Sequence, residues 1–172
     1  MDDYNVILIG FKNSGKTTIG RLLSFLLDKK FIDIDEIIKK IFSKKYKKKK
    51  QIYEIFKILA EKKFREMESE AFNSLKSIKD AIIATSGGSI LNENNLSILK
   101  NLKKIIYLKT SKKVLKKRIS KLKKTIFHDS DFFESTYDKR EKIYNKLADI
   151  VIENNNHDFE KLALEIKKRL YV

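Results

Sequence analysis

Cysteine, proline and tryptophan are all missing from this chain of 172 residues. Without cysteine there is no disulfide, no thiolate zinc site and no iron–sulfur cluster, a pattern that suits a reducing compartment. Glycine is scarce, at five residues, and no glycine/serine linker or internal repeat breaks the chain. Long apolar runs are missing too: nothing approaches the ~20 residues of a membrane span. Met1, Asp2 and Asp3 precede a short apolar run ending at Gly10, without the basic start and longer apolar core of a signal peptide. The length fits one domain over residues 1–172, large enough to bury a core without staples. The expectation is a soluble, cytoplasmic, monomeric protein with no membrane partner.

Negative charge is in short supply. Lys and Arg number 39 against 23 Asp and Glu, a formal net charge of +16. Such a balance invites a nucleic-acid reading. However, lysine, isoleucine and asparagine are abundant throughout, a composition that biased codon usage produces by itself. No aromatic-rich RNA-binding signature accompanies the basic residues, so nucleic acid is not an expected partner. A positive field would also speed encounter with a small polyanionic substrate.

Short β-branched runs alternate with longer amphipathic ones, the pattern of an α/β fold with a parallel sheet. Strands are predicted over Asn5–Ile9, Lys30–Ile34, Ala81–Thr85, Lys103–Leu108 and Asp149–Ile152. Helices are predicted over Lys16–Leu27, Glu36–Phe42, Tyr53–Leu75 with a break near Ala60, Ser111–Leu122, Thr136–Leu147 and Phe159–Leu170. Asp158 is positioned to cap the last of them. Ser43–Lys50 holds six lysines in eight residues and reads as a solvated loop or helix end. Leu122–Ser135 has no clear period and reads as a mobile loop.

The strongest chemical signal is Gly10-Phe11-Lys12-Asn13-Ser14-Gly15-Lys16-Thr17, which satisfies G-x-x-x-x-G-K-[ST] between a strand and a helix. Glycines let consecutive backbone N–H groups curl around a phosphate, and the helix N-terminus adds partial positive charge. Lys16 would reach the β- and γ-phosphates of a nucleoside triphosphate, and the Thr17 hydroxyl would ligate Mg²⁺.

Other signals are weaker alone. Asp33 and Asp35, two apart, would share one face of an extended chain at the mouth of the sheet. One could support magnesium through water while the other accepts a proton, or Asp35 could simply cap the following helix. Arg65 and Glu68 share a helix face, and in so charged a chain their spacing alone describes a surface pair. Thr85-Ser86-Gly87-Gly88-Ser89 allows a tight turn and close backbone approach to an anion, as would an ordinary strand-to-helix turn. Arg140 shares a helical side with Tyr144 and Ala148.

In order along the chain these pieces resemble the shikimate kinases, members of the nucleoside monophosphate kinase-like P-loop family. The residues carrying the resemblance are Gly10 to Gly20, Phe31-x-Asp33-x-Asp35, Ile52-x-Glu54 through Phe64-Arg65-x-x-Glu68, Ala84 to Ser89, and Arg140-x-x-x-Tyr144-x-x-x-Ala148. It implies a three-layer α/β sandwich: a five-stranded parallel sheet flanked by helices, a lid near 123–135 and a substrate-binding helical region near 35–75. It also implies transfer of phosphate from ATP, with Mg²⁺, to the 3-hydroxyl of shikimate, giving shikimate 3-phosphate and ADP. Lys16 and Asp35 would be catalytic. Asn13, Ser14, Gly15, Lys16, Thr17, Thr18 and Lys124 would hold the nucleotide, and Thr17 and Asp33 the metal. Asp35, Arg65, Gly87 and Arg140 would bind shikimate. Always-charged guanidinium forks suit a carboxylate better than lysine does.

The chain departs from the family pattern in three places. Asn13 stands where glycine is usual, a mild change because Asn tolerates a left-handed backbone. Ser86 replaces the first of three glycines, without strain if its φ is negative. The lid usually carries Arg-Pro-Leu-(Leu/Phe), whereas this chain reads Lys124-Thr125-Ile126-Phe127, with Lys123 an equal candidate for the cationic position. Alternative readings are a kinase for gluconate or a nucleoside monophosphate, and a P-loop binding protein with weakened catalysis.

Overall fold

Burial along the first strand divides the core in two. In the computed structural model, which describes residues 4–156 and 158–171, Val6 and Leu8 face one side of the sheet and Ile7 and Ile9 the other, all four inaccessible to water. Such two-sided burial is the mark of a parallel sheet covered by helices on both faces. The signal-peptide argument at Met1, Asp2 and Asp3 lies outside the described residues. The elements run β1 (Asn5–Ile9), α1 (Lys16–Leu27), β2 (Lys30–Asp33), α2 (Ile34–Tyr46), α3 (Ile52–Asn73), β3 (Ala81–Ala84), a 3₁₀ turn (Ser89–Leu91), α4 (Glu93–Asn101), β4 (Lys103–Lys109), α5 (Lys112–Ile119), α6 (Ser130–Leu147), β5 (Ile150–Glu153) and α7 (Phe159–Leu170).

The five strands pair in parallel in the order β2-β3-β1-β4-β5, with Ile7 opposite Ile83 on one side and Ile105 on the other. Helices α1 and α7 cover the face of Val6 and Leu8 through Ile19, Leu23, Ala163 and Ile166. The face of Ile7 and Ile9 packs against Ile38, Ile55, Phe72 and Leu99 from α2, α3 and α4, joined by Tyr144 of α6. The chain leaves β1 toward β2 on one side and leaves β3 toward β4 on the other. The crevice beyond the carboxyl ends of β1 and β3 is therefore the topological switch point, where ligands of such sheets bind. Both segments that could cradle an anion, Gly10–Gly15 and Thr85–Gly88, start there. Among the described residues no helix is long and apolar enough to cross a membrane.

Four differences from the sequence expectations have physical causes. Residues 89–101 carry no predicted element, yet form a 3₁₀ turn and α4; asparagines at 92, 94 and 95 mask the signal, although the Asn92 side chain caps α4 by accepting from the N–H groups of Asn94 and Asn95. Helix α2 starts at Ile34 and continues to Tyr46, so Lys44 and Lys45 form its last turn, where cations complement the helix dipole. Lysines 47–49 are exposed and lie beyond it. The segment expected to be a mobile loop is only partly one: α6 begins at Ser130, capped by Asp129, whose carboxylate accepts from the Phe132 N–H at 2.7 Å. Thr125 and Phe127 are buried within the same stretch. Strand β2 ends at Asp33 and α2 begins at the next residue, so Asp35 lies in a helical first turn and not on extended chain.

The expected break in α3 is present at Ala60, whose φ of 56° and ψ of 173° interrupt the helix. That region is favourable only for glycine, and a residue with Cβ is strained there by about 1–3 kcal/mol. Ala60 is exposed, so nothing else is lost by changing it. Ala60→Gly should raise the thermal midpoint by about 2–4 °C, the response of a domain this size to about 1 kcal/mol. Calorimetry showing a lower midpoint would mean the kink is unstrained.

Candidate active site

The phosphate loop owes its curl to three residues with positive φ: Gly10 at 148°, Asn13 at 64° and Gly15 at 92°. Asn13 thus occupies the left-handed region that its side chain tolerates. The Lys16 ammonium turns back into this curl and donates to the carbonyls of Gly10 at 2.9 Å and Phe11 at 2.8 Å. Two of its three N–H bonds are thereby used, and the third is left for an anion. Burial pushes its pKa down to about 8, with Asp35 and then Asp33 pulling the other way.

The loop is braced from outside by residues that no motif singles out. Arg118 donates to the Asn13 carbonyl at 3.0 Å and the Asn154 carbonyl at 3.2 Å. The Asn154 amide donates to the Ser14 carbonyl at 2.7 Å, across 140 residues of chain. Phe159 packs so closely on Gly15 that an added Cβ would sit 2.9 Å from its ring. Arg118 lies in a lysine-rich helix, and Asn154 and Phe159 are remote from the loop in sequence, so no local pattern marks them.

Asp33 acts through both oxygens. Oδ2 accepts from the Thr17 hydroxyl at 2.8 Å and Oδ1 from the Asp35 N–H at 2.9 Å. It is therefore Asp33, not Asp35, that caps α2. This frees the Asp35 carboxylate, whose buried Oδ1 has no hydrogen-bond partner. Burial raises its pKa to about 6, and Asp33 adds to the shift. Among the described residues no group of three or more His, Cys, Asp or Glu could form a metal cage. The juxtaposed oxygens of Thr17 and Asp33 instead suit Mg²⁺, which keeps several waters and takes its other ligands from phosphates.

Two guanidinium groups complete the arrangement. Arg65 Nη1 donates to Glu68 Oε2 at 2.8 Å, and Glu68 Oε1 accepts from the Ser86 hydroxyl at 2.8 Å. Glu68 is wholly inaccessible, so Arg65 and Glu68 are not the surface pair their spacing suggests. Ser86 keeps a non-positive φ and turns its hydroxyl to advantage. Gly88 is required here: a Cβ would sit 2.8 Å from both terminal nitrogens of Arg65. Arg140 is 7% exposed, its guanidinium carbon 5.5 Å from the Phe11 ring centroid and 5.7 Å from that of Phe127. Its Nε is buried without a partner, and burial lowers its pKa. One turn further, the Tyr144 hydroxyl donates to the Gly87 carbonyl at 2.5 Å and ties α6 to the glycine turn.

These parts surround one cavity of about 520 Å³. Of the predicted site residues, Asn13, Gly15, Lys16, Thr17, Thr18, Asp33, Asp35, Arg65, Gly87 and Arg140 line it. Ser14 is buried in the loop, with its hydroxyl unpartnered. Lys124 is not brought there. Thr125 and Phe127 turn inward, which leaves Lys123 and Lys124 exposed, and Lys124 acts electrostatically on Glu54 instead. Lys12, Glu68, Arg118 and Phe159 also line the cavity, beyond the residues predicted as contacts.

A phosphate loop at the switch point of a parallel 2-3-1-4-5 sheet, opening on an acid and two guanidinium groups, defines a P-loop kinase of small molecules. Comparison with known proteins narrows this. A family model for shikimate kinase matches residues 12–171. A shikimate kinase from Clostridium botulinum (strain 657 / Type Ba4) is 38% identical over 161 residues, covering 90% of this chain and 89% of the relative. Among solved structures, shikimate kinase from Acinetobacter baumannii in complex with shikimate superposes with a TM-score of 0.84 at 30% identity, covering 98% of this chain and 93% of that one. The enzyme from Aquifex aeolicus gives 0.79 at 29% identity, covering 97% and 96%. This chain belongs to the shikimate kinase family.

Because Glu68 holds both Arg65 and Ser86, Glu68→Ala should raise KM for the anionic acceptor about tenfold or more. Loss of one partner of a buried pair should also lower the thermal midpoint. Steady-state kinetics with an unchanged acceptor KM would show that Arg65 holds its position without it.

Proposed function

We propose that this protein transfers the γ-phosphoryl group of ATP to the 3-hydroxyl of shikimate, releasing ADP and shikimate 3-phosphate, a step of aromatic amino-acid biosynthesis. The observation that carries this reading is the sharing of one cavity by Lys16, Asp35, Arg65 and Arg140. Lys16 and the loop N–H groups hold the β- and γ-phosphates, while Arg65 and Arg140 clamp the acceptor's carboxylate as charged forks. The Gly87 backbone, held by Tyr144, closes the acceptor side. Thr17 and Asp33 would hold Mg²⁺, which would supply neutralisation of charge on the phosphates.

Asp35 accepts the hydroxyl proton as the acceptor oxygen bonds to the γ-phosphorus. The bond from that phosphorus to the bridging oxygen breaks, and ADP leaves with its electron pair. Because the transition state is loose, positioning and charge neutralisation matter more than base strength. A carboxylate near 6 meets that demand at neutral pH.

A coupled ADP-release assay with shikimate, quinate, gluconate and nucleoside monophosphates should give turnover with shikimate far above the rest, lost by orders of magnitude in Lys16→Ala. Highest turnover with another acceptor would replace shikimate, and near-normal turnover of Lys16→Ala would remove Lys16 from its role.

The pH dependence follows from two buried groups. Burial raises Asp35, so the base form appears, and kcat/KM rises, as pH increases through about 6. Burial lowers free Lys16, so ATP affinity should fall as pH increases through about 8. A bell-shaped profile is expected, and Asp35→Asn should abolish its acid limb along with most of the activity. An acid limb near the ordinary carboxylate value of 3.8 would contradict the assignment.

A further inference from the structure

Five cations line the cavity, and the roles described so far account for four of them. Arg118 braces the carbonyls of the phosphate loop. Lys16 belongs to the nucleotide, and Arg65 and Arg140 belong to the acceptor's carboxylate. The fifth is Lys12, the third residue of the phosphate loop. We propose that Lys12 is a further catalytic residue, its ammonium facing the transferring phosphoryl group from the acceptor side. This rests on the function proposed above.

Several observations carry it. The backbone around Lys12 is anchored on both sides: Phe11 is buried among the rings of Phe127, Phe133 and Tyr137, and Gly87 fits so tightly that a Cβ there would lie 3.0 Å from the Lys12 amide nitrogen. The side chain is half-buried and lines the cavity together with Asp35 and Tyr53. Among the described residues no carboxylate lies within ion-pair distance of its ammonium. Burial is the largest influence on it and lowers its pKa, opposed by the charge of Asp35 and then by Tyr53. It also acts on Lys16. The ammonium therefore sits within electrostatic reach of both the base and the phosphate-binding lysine, which is where the phosphoryl group passes.

A partly desolvated ammonium with no carboxylate at ion-pair distance is unfavourable in the free protein. It becomes favourable once an anion arrives, and the three equatorial oxygens of a loose phosphoryl transition state carry the spread charge that would meet it. No lid cation competes for this role, because Lys123 and Lys124 are exposed and outside the cavity.

The test uses Lys12→Met, which keeps the unbranched stem and removes the charge, and Lys12→Arg, which keeps the charge. With ATP and shikimate, Lys12→Met should lower kcat by about 10- to 100-fold, with KM for shikimate changed by less than about twofold. Lys12→Arg should recover most of kcat. Thermal melting should find Lys12→Met no less stable than the unsubstituted enzyme; should it fail to fold, Lys12→Gln makes the same comparison with a polar tip. The proposal is overturned by a kcat within about twofold in Lys12→Met, by a loss confined to KM for ATP, or by Lys12→Arg matching the loss of Lys12→Met. The two levels fail differently. An unsubstituted enzyme that releases no ADP with shikimate sinks the acceptor, whereas a fully active Lys12→Met sinks the role of Lys12 alone.

Discussion

Everything in the site is arranged around an ammonium that the loop has drawn into itself. Lys16 is buried, and its bonds to the Gly10 and Phe11 carbonyls hold the loop in the shape that turns N–H groups toward a phosphate. Those carbonyls can face inward only because Gly10, Asn13 and Gly15 take positive φ. Phe11 in turn is one of the two rings beneath Arg140, so the proposed nucleotide and acceptor ends share a foundation. Gly87 abuts Lys12 and is tied to Tyr144, one helical turn from Arg140. A displacement of the phosphate loop would therefore move both ends of the reaction path, a tight coupling in a reaction governed by positioning.

The site also stores electrostatic free energy. Asp35 and Arg140 each have a buried polar atom without a partner. Lys16 and Arg140 are held below their ordinary pKa values, and Asp35 above its own, with burial the leading cause in all three. For Asp35 the linkage has a definite sign: the raised folded-state value gives stability that is complete below 3.8 and lost as pH rises through about 6. At neutral pH its ionised form is thus a net cost to the free protein. On the proposed function, nucleotide and acid would supply the missing counter-charges, so that binding relieves what folding leaves unpaired, the usual exchange of stability for function.

How much can be read from the sequence depends on the range of the interactions. The phosphate loop is legible outright, because its chemistry needs particular residues at fixed short spacing between a strand and a helix. Five strands are legible as β-branched runs, with ends displaced by a residue or two where a side chain such as that of Asp33 doubles as a helix cap. Helix α4 is hidden because asparagines replace the usual helix formers around Leu96, Ile98 and Leu99. The burial of Glu68 is hidden for a different reason. Its i,i+3 spacing from Arg65 is that of any surface pair, and only the arrival of Ser86 from the end of β3 and the close fit of Gly88 distinguish it. Arg140 likewise becomes a site residue through Phe11 and Phe127, which reach it from other parts of the chain. The resemblance to a family supplies what spacing does not.

The lid shows where resemblance itself loses force. Aligning residues by order offers Lys124 or Lys123 for the cationic position, but Thr125 and Phe127 are buried while both lysines are exposed. Phe127 is needed inward because it forms half of the aromatic seat of Arg140. A side chain just before this buried stretch cannot also reach the cavity unless the backbone turns sharply, and the segment passes directly into the Asp129 cap of α6. In the proposed reaction, the positive charge near the transferring phosphate would then come from another element. On the proposed role, Lys12 would supply it from the phosphate loop, whose backbone is held by the packing of Phe11 and Gly87. A cation fixed to the loop orders no flexible segment when substrate binds, whereas a lid cation must be immobilised each time. The same exchange would let the proposed reaction proceed without a lid guanidinium.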